Sequence, residues 1–184
     1  MAAMEKLIEL GKIRFIGVSN FSASELRRAQ SKMSKHRIVS SQVRYGLLDR
    51  SPELELLQYC KANCVTLLAF SPLGASFARL QEADVKGILE QIERAIGKRR
   101  AQIALNWCLM SECVIAIFKS DKIEHINENC GASGWRLTVE QYRSLSDGIV
   151  GRRRYRFQQL VRRLGRRLIQ LTGRNLGTPT IADC

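Results

Sequence analysis

A chain of 184 residues, 45% hydrophobic and 26% charged, is long enough for one domain with a buried core and too balanced in composition for a disordered or fibrous protein. It has no run of about 18 apolar residues, and Glu5, Lys6 and Glu9 interrupt the N-terminus where a secretory signal needs an apolar stretch; both features point to a cytoplasmic protein. The net charge of +13 is uneven, since residues 151–184 hold nine arginines against the single acid Asp183. That shift divides the chain into 1–150 and 151–184.

In chain order, residues 4–10 read as a short amphipathic helix stopped by Gly11. Residues 13–19 follow as a strand in which Ile13, Phe15, Ile16 and Val18 suit burial on both faces. Beyond Ser19 and Asn20, Ser22 or Ser24 caps a helix over about 24–35, with Glu25 in its first turn. Residues 38–45 form a second strand, with Val39, Ser41 and Val43 on one side and Ser40, Gln42 and Arg44 on the other. Ser51-Pro52-Glu53 places proline at the first position of a helix over 53–63. Residues 65–70 are a third, wholly apolar strand closed by Ser71-Pro72-Leu73-Gly74. Helices are expected at about 83–96 and 101–110, a fourth strand at 114–118, and helices at about 123–129 and 138–146. Repeated strand–helix units imply a parallel α/β sheet with helices on its faces, and the pattern suits either a half barrel or a small open sheet.

The six cysteines show no CxxC spacing and no neighbouring His cluster, so buried reduced thiols are expected and no metal site. Residues 151–171 carry apolar side chains at three-to-four-residue steps among Arg152 to Arg154, Arg156, Arg162, Arg163, Arg166 and Arg167, the pattern of a basic amphipathic helix. Three roles fit it: a helix packed on the domain, a subunit contact, or a surface for nucleic acid or an anionic membrane through residues 152–167. Residues 172–184 look like a loose extension.

Four stretches share a resemblance. The run from Lys12 to Ser22, Gln42 in the second strand, Phe70 with Ser71-Pro72-Leu73-Gly74 after the third, and Lys119-Ser120 with His125, Glu128 and Asn129 after the fourth together resemble the aldo-keto reductase family. The likeness covers residues 4 to about 148 and implies strands five to eight of a (β/α)8 TIM barrel. A complete barrel takes roughly 250 residues. In that family Ser19, Asn20 and Gln42 would hydrogen-bond a nicotinamide carboxamide, and Phe70 would stack on the ring in the place where Tyr is commonest. Ser71, Leu73 and Gly74 would fold over the pyrophosphate. Lys119 and Ser120 would meet the adenosine 2′-phosphate, with His125 standing where many members have Arg and Phe118 where proline is usual; Glu128 and Asn129 would reach the adenine edge. The implied cofactor is NADP(H).

The family's catalytic Asp, Tyr, Lys and His come from its first four strands, and no segment here resembles them. No catalytic residue is therefore assigned; His36 precedes a strand, and Tyr45 has no Lys or His partner in its sequence context. The resemblance implies a truncated oxidoreductase domain for carbonyl or alcohol hydride transfer, inactive by itself, acting on a small carbonyl substrate only when completed by a complementary half barrel or by self-association. The alternative is a non-catalytic fragment or binding protein whose basic tail is the working part.

Overall fold

The computed structural model describes residues 1–149, so the basic stretch 152–167 and the extension to Cys184 lie outside the described residues. Four strands, β1 (Ile16–Ser19), β2 (Ile38–Arg44), β3 (Thr66–Phe70) and β4 (Val114–Ile117), form one parallel sheet in the order β1-β2-β3-β4. Helix α1 (Ala2–Glu9) precedes β1, α2 (Ala23–Gln30) links β1 to β2, and a 3-10 turn (Ser51–Glu53) and α3 (Leu56–Ala62) link β2 to β3. The β3–β4 connection holds α4 (Phe77–Ala83), α5 (Ile88–Ile96) and α6 (Arg100–Leu109); α7 (Ile123–Cys130) and α8 (Val139–Gly148) follow β4. Among the described residues, no helix is long and apolar enough to cross a membrane.

The alternation along each strand sorts side chains into two unlike faces. Ser41, Leu67 and Ala69 are fully buried on the face covered by helices, with Val43 and Val114 nearly so. On the other face the register aligns Ser19, Gln42, Leu68 and Ile115 in one row and Arg44, Phe70 and Ile117 in the next. Ile115 is 54% and Ile117 41% exposed there. The apolar strands thus carry the pattern of a sheet buried on both sides, yet among the described residues only one side is covered.

Several local differences from the sequence expectation have physical causes. Strand β1 starts at Ile16, three residues later than expected, because among the described residues it pairs only with β2 and Phe15 is 67% exposed. The helix expected over 83–96 begins at Ile88: Asp84 accepts the Ile88 and Leu89 N–H groups at 2.8 Å each, and Gly87 takes φ 63° at the N-cap. The helix expected over 53–63 divides into the proline-led 3-10 turn and α3. Helix α4 was not foreshadowed, since Leu80 is its one buried residue and gives no period. The caps agree well, with reciprocal capping boxes joining Ser22 to Glu25 and Thr138 to Gln141.

The core centres on α6, whose Ile103, Ala104, Leu105, Asn106, Trp107 and Cys108 are all buried. The Asn106 amide donates to the Ala132 and Trp135 carbonyls at 2.9 and 2.8 Å and accepts from the Leu137 N–H at 3.0 Å. Trp107 donates to Ser146 Oγ at 2.9 Å, tying α8 to α6, and its ring lies 5.5 Å from those of Tyr45 and Tyr142. Arg50 closes this cluster by contacting Glu53 and the Ser146 carbonyl at 2.7 and 2.6 Å. Of the five described cysteines Cys60 and Cys108 are buried, their thiols pushed up to about 11 and about 12 by desolvation. Cys64 and Cys130 are exposed, contrary to the expectation of buried thiols.

Candidate cofactor cleft

At the C-terminal ends of β3 and β4 a cleft of about 880 Å³ opens between the β3–α4 loop with α4, Glu93 of α5, the start of α6, the β4–α7 loop and α7. Strand ends in a parallel sheet are where loops and free backbone donors converge. Phe70, Ser71, Leu73, Gly74, Lys119, Ser120, His125, Glu128 and Asn129, all expected from the sequence, line it together.

Its geometry follows from local chemistry. After Phe70 the chain turns through Ser71 at φ 49° and Gly74 at φ 82°, closed by a 2.8 Å hydrogen bond from the Gly74 N–H to the Ser71 carbonyl. A left-handed non-glycine residue such as Ser71 is strained, and such strain clusters at functional sites. Gly46 lets the β2 end approach this loop, since a Cβ there would run into the Pro72 carbonyl. After β4, the Ser120 hydroxyl donates to the Lys122 carbonyl and accepts from the Lys122 N–H, both at 3.2 Å. That turn leaves Lys119 90% exposed, with Asp121 at 3.8 Å and equally open to water, an ion pair too loose to occupy the ammonium. Gln102 donates to the Glu128 carbonyl at 2.8 Å, bracing α6 against α7.

Ser19, Asn20 and Gln42 do not line the cleft; they sit together at the ends of β1 and β2. The Ser19 hydroxyl and the Asn20 N–H both donate to the Gln42 carbonyl, at 3.1 and 2.8 Å. Asn20, like Ser71, is left-handed, at φ 59°. Phe70 connects the two groups of residues: it lines the cleft and stands on the open face one row beyond Gln42, with Arg44 5.5 Å from its ring centroid.

Tyr45 is 1% exposed, and its hydroxyl donates to Glu53 at 3.0 Å, with burial and the Glu53 charge holding the phenol far above its ordinary value. His36 precedes β2 at the strand's N-terminal end, where its N–H donates to Glu5 at 3.2 Å. Neither reaches the cleft. The sequence reading missed four polar or charged wall residues: Gln81, Glu93, Arg99 and Arg100. The signal was present in Lys98-Arg99-Arg100, a basic triplet abutting a helix start.

Comparison with known proteins bears on this arrangement. Residues 1–148 match the model of the aldo/keto reductase family. The methylglyoxal reductase YeaE of Escherichia coli is 35% identical over 130 residues, covering 70% of this chain and 45% of the relative. Among solved structures, the thermostable aldo-keto reductase Tm1743 superposes with a TM-score of 0.71 at 40% identity, covering 79% of this chain and 52% of the other. The aldo/keto reductase of Klebsiella pneumoniae, solved with NADP and acetate, gives 0.72 at 31% identity, covering 80% and 52%. The chain spans about half the length of the relatives it matches. With a strand-end cleft and a family model matched over residues 1–148, the chain belongs to the aldo/keto reductase family.

Proposed function

We propose that this chain forms the cofactor side of an NADP-dependent oxidoreductase acting on a carbonyl or alcohol group. The observation carrying the reading is the cleft itself, which gathers Phe70, the Ser71–Gly74 turn, Lys119, Ser120, His125, Glu128 and Asn129 on one wall system. Asn129 supports the fit: it is 8% exposed, lines the cleft, and its carboxamide has no hydrogen-bond partner among the described residues. Its polar atoms stay accessible, since the buried side-chain atom left without a partner among the described residues is Ser41 Oγ, so the carboxamide is free to meet a ligand.

In this reading Lys119 and Ser120 hold the 2′-phosphate beside the start of α7, where free N–H groups favour an anion. Glu128 and Asn129 take the adenine edge, Ser71, Leu73 and Gly74 cover the pyrophosphate, and Phe70 places the nicotinamide near Ser19, Asn20 and Gln42. NADPH, when bound, supplies the hydride; the chain's residues bind and orient it. Carbonyl reduction also needs a positioned proton donor, which this proposal assigns to a complementary half barrel docked on the open face of Leu68, Ile115 and Ile117. Self-association of this chain is the other way to cover that face.

Titration of the full chain with NADPH, followed by nucleotide fluorescence, tests the cofactor assignment. Lys119→Ala should weaken binding about tenfold, the share of one charge-assisted contact, without lowering Tm. Equal affinity in both proteins would remove Lys119 from the site. The purified chain alone should not oxidise NADPH in the presence of an aldehyde, and measurable turnover would overturn the assignment of the proton donor to a partner. A second reading rests on the nine arginines of residues 151–184: salt-dependent retention of DNA or anionic vesicles, lost on deletion after Gly148, would favour a binding module.

A further inference from the structure

We infer that Arg99, at the start of α6, sets the selectivity of the cleft for a dinucleotide that carries a ribose 2′-phosphate. The inference rests on the proposed cofactor reading and goes beyond it, because it assigns the discriminating charge to a segment outside the four stretches discussed above.

Three cations line the cleft: Arg99, Arg100 and Lys119. They are not equivalent. Arg100 is engaged, its Nε donating to Glu93 at 2.7 Å, and Lys119 is an almost fully exposed ammonium on a flexible stem. Arg99 forms no ion pair among the described residues. Its guanidinium keeps its charge at any working pH and presents a planar fork suited to phosphate oxygens.

Arg99 is also the wrong residue for helix stability. It occupies the N-cap of α6, where Ser, Thr, Asp or Asn would accept an N–H of the first turn, and its side chain makes no cap hydrogen bond. A guanidinium has no acceptor to offer. Only the Gln102 half of the cap is present, Oε1 accepting the Arg99 N–H at 2.9 Å. Two consecutive arginines at the positive end of a helix repel its dipole. An anion between them and Lys119 relieves both faults. The independent sign of a ligand here is Asn129, a residue 8% exposed on the same cleft, whose carboxamide stays accessible and makes no hydrogen bond among the described residues. The Gln102–Glu128 brace fixes α6 to the helix bearing Asn129, so Arg99 lies at the adenosine end, where the phosphate to be met is the one on the ribose.

The test uses the full chain and its Arg99→Ser and Arg99→Lys variants, titrated with NADPH, NADH, 2′,5′-ADP and 5′-AMP, alongside thermal unfolding. Arg99→Ser should weaken NADPH and 2′,5′-ADP about tenfold or more while leaving NADH and 5′-AMP within about twofold. Its Tm should stay level or rise, since serine caps better than arginine; a merely structural role would lower it. Arg99→Lys should recover part of the phosphate affinity. Equal losses for phosphorylated and unphosphorylated nucleotides, or no loss at all, would overturn the assignment while leaving the cofactor reading intact. If the unaltered chain binds none of the four probes, both fall together.

Discussion

The Trp107 cluster behind the sheet and the cleft at the strand ends are both rich in polar groups, and they treat them in opposite ways. Around Trp107 the groups are paired, Trp107 with Ser146, Tyr45 and Arg50 with Glu53, and Arg50 with the Ser146 carbonyl, while Ser41 Oγ on the same face of the sheet is buried without a partner among the described residues. In the cleft the accessible Asn129 carboxamide makes no hydrogen bond among the described residues, Lys119 is held only loosely by Asp121, and the Arg99 side chain makes no cap hydrogen bond. Saturated polar groups in a low-dielectric core rigidify a fold. Unsaturated ones on a concave wall are what a ligand completes.

The comparison can be broken from the fold side first. Trp107→Ala should cost about 3–5 kcal/mol by leaving a cavity and removing the hydrogen bond that Trp107 donates to Ser146 Oγ, read as a lower denaturation midpoint. A loss below about 1 kcal/mol would mean that the cluster does not hold the fold. Lys119→Ala is the opposite case, with affinity reduced and stability unmoved; a clear drop in its Tm would blur the distinction between the two regions. Ser22→Ala removes one half of a capping box on an exposed helix start and should cost about 1 kcal/mol in chemical denaturation, with nucleotide affinity unchanged.

The smallest effect concerns pH. Glu5 accepts the N–H groups of Ser34 and Lys35 at 2.9 Å each and of His36 at 3.2 Å. The Lys35 N–H foremost, then those of His36 and Ser34, hold its carboxyl below the ordinary value of 4.5. A carboxylate favoured in the folded state stabilises fully above its unfolded value and loses that contribution as pH falls through the folded one. The difference in Tm between the parent chain and Glu5→Gln should therefore be greatest near neutrality and shrink as the pH falls below the ordinary carboxylate value. A gap independent of pH would show that the charge of Glu5 is irrelevant.

Much of this protein was legible locally. Three of the four strands show in their apolar runs and β2 in its β-branched residues, the helix starts at Ser22 and Thr138 in their capping residues, and the cleft-lining residues after β3 and β4 in the motifs that follow each strand. These depend on periodicity, caps and turn chemistry within a few residues. Other features needed chain segments far apart in sequence. Glu5 reads as a solvent charge until the loop after α2 wraps three N–H groups around it, and Tyr45 is committed to Glu53 by the packing of Trp107. Arg99 becomes a wall of the cleft only because the α6 start is braced against α7.

The sequence by itself determined the order of the four strands and of most helices, and the chemistry offered at each strand end, because hydrophobic period, capping and turn residues act locally. Tertiary structure alone decided which of those groups meet, which are spent on the fold and which stay open. Pairing a buried polar group depends on partners tens of residues away, and no local pattern records them.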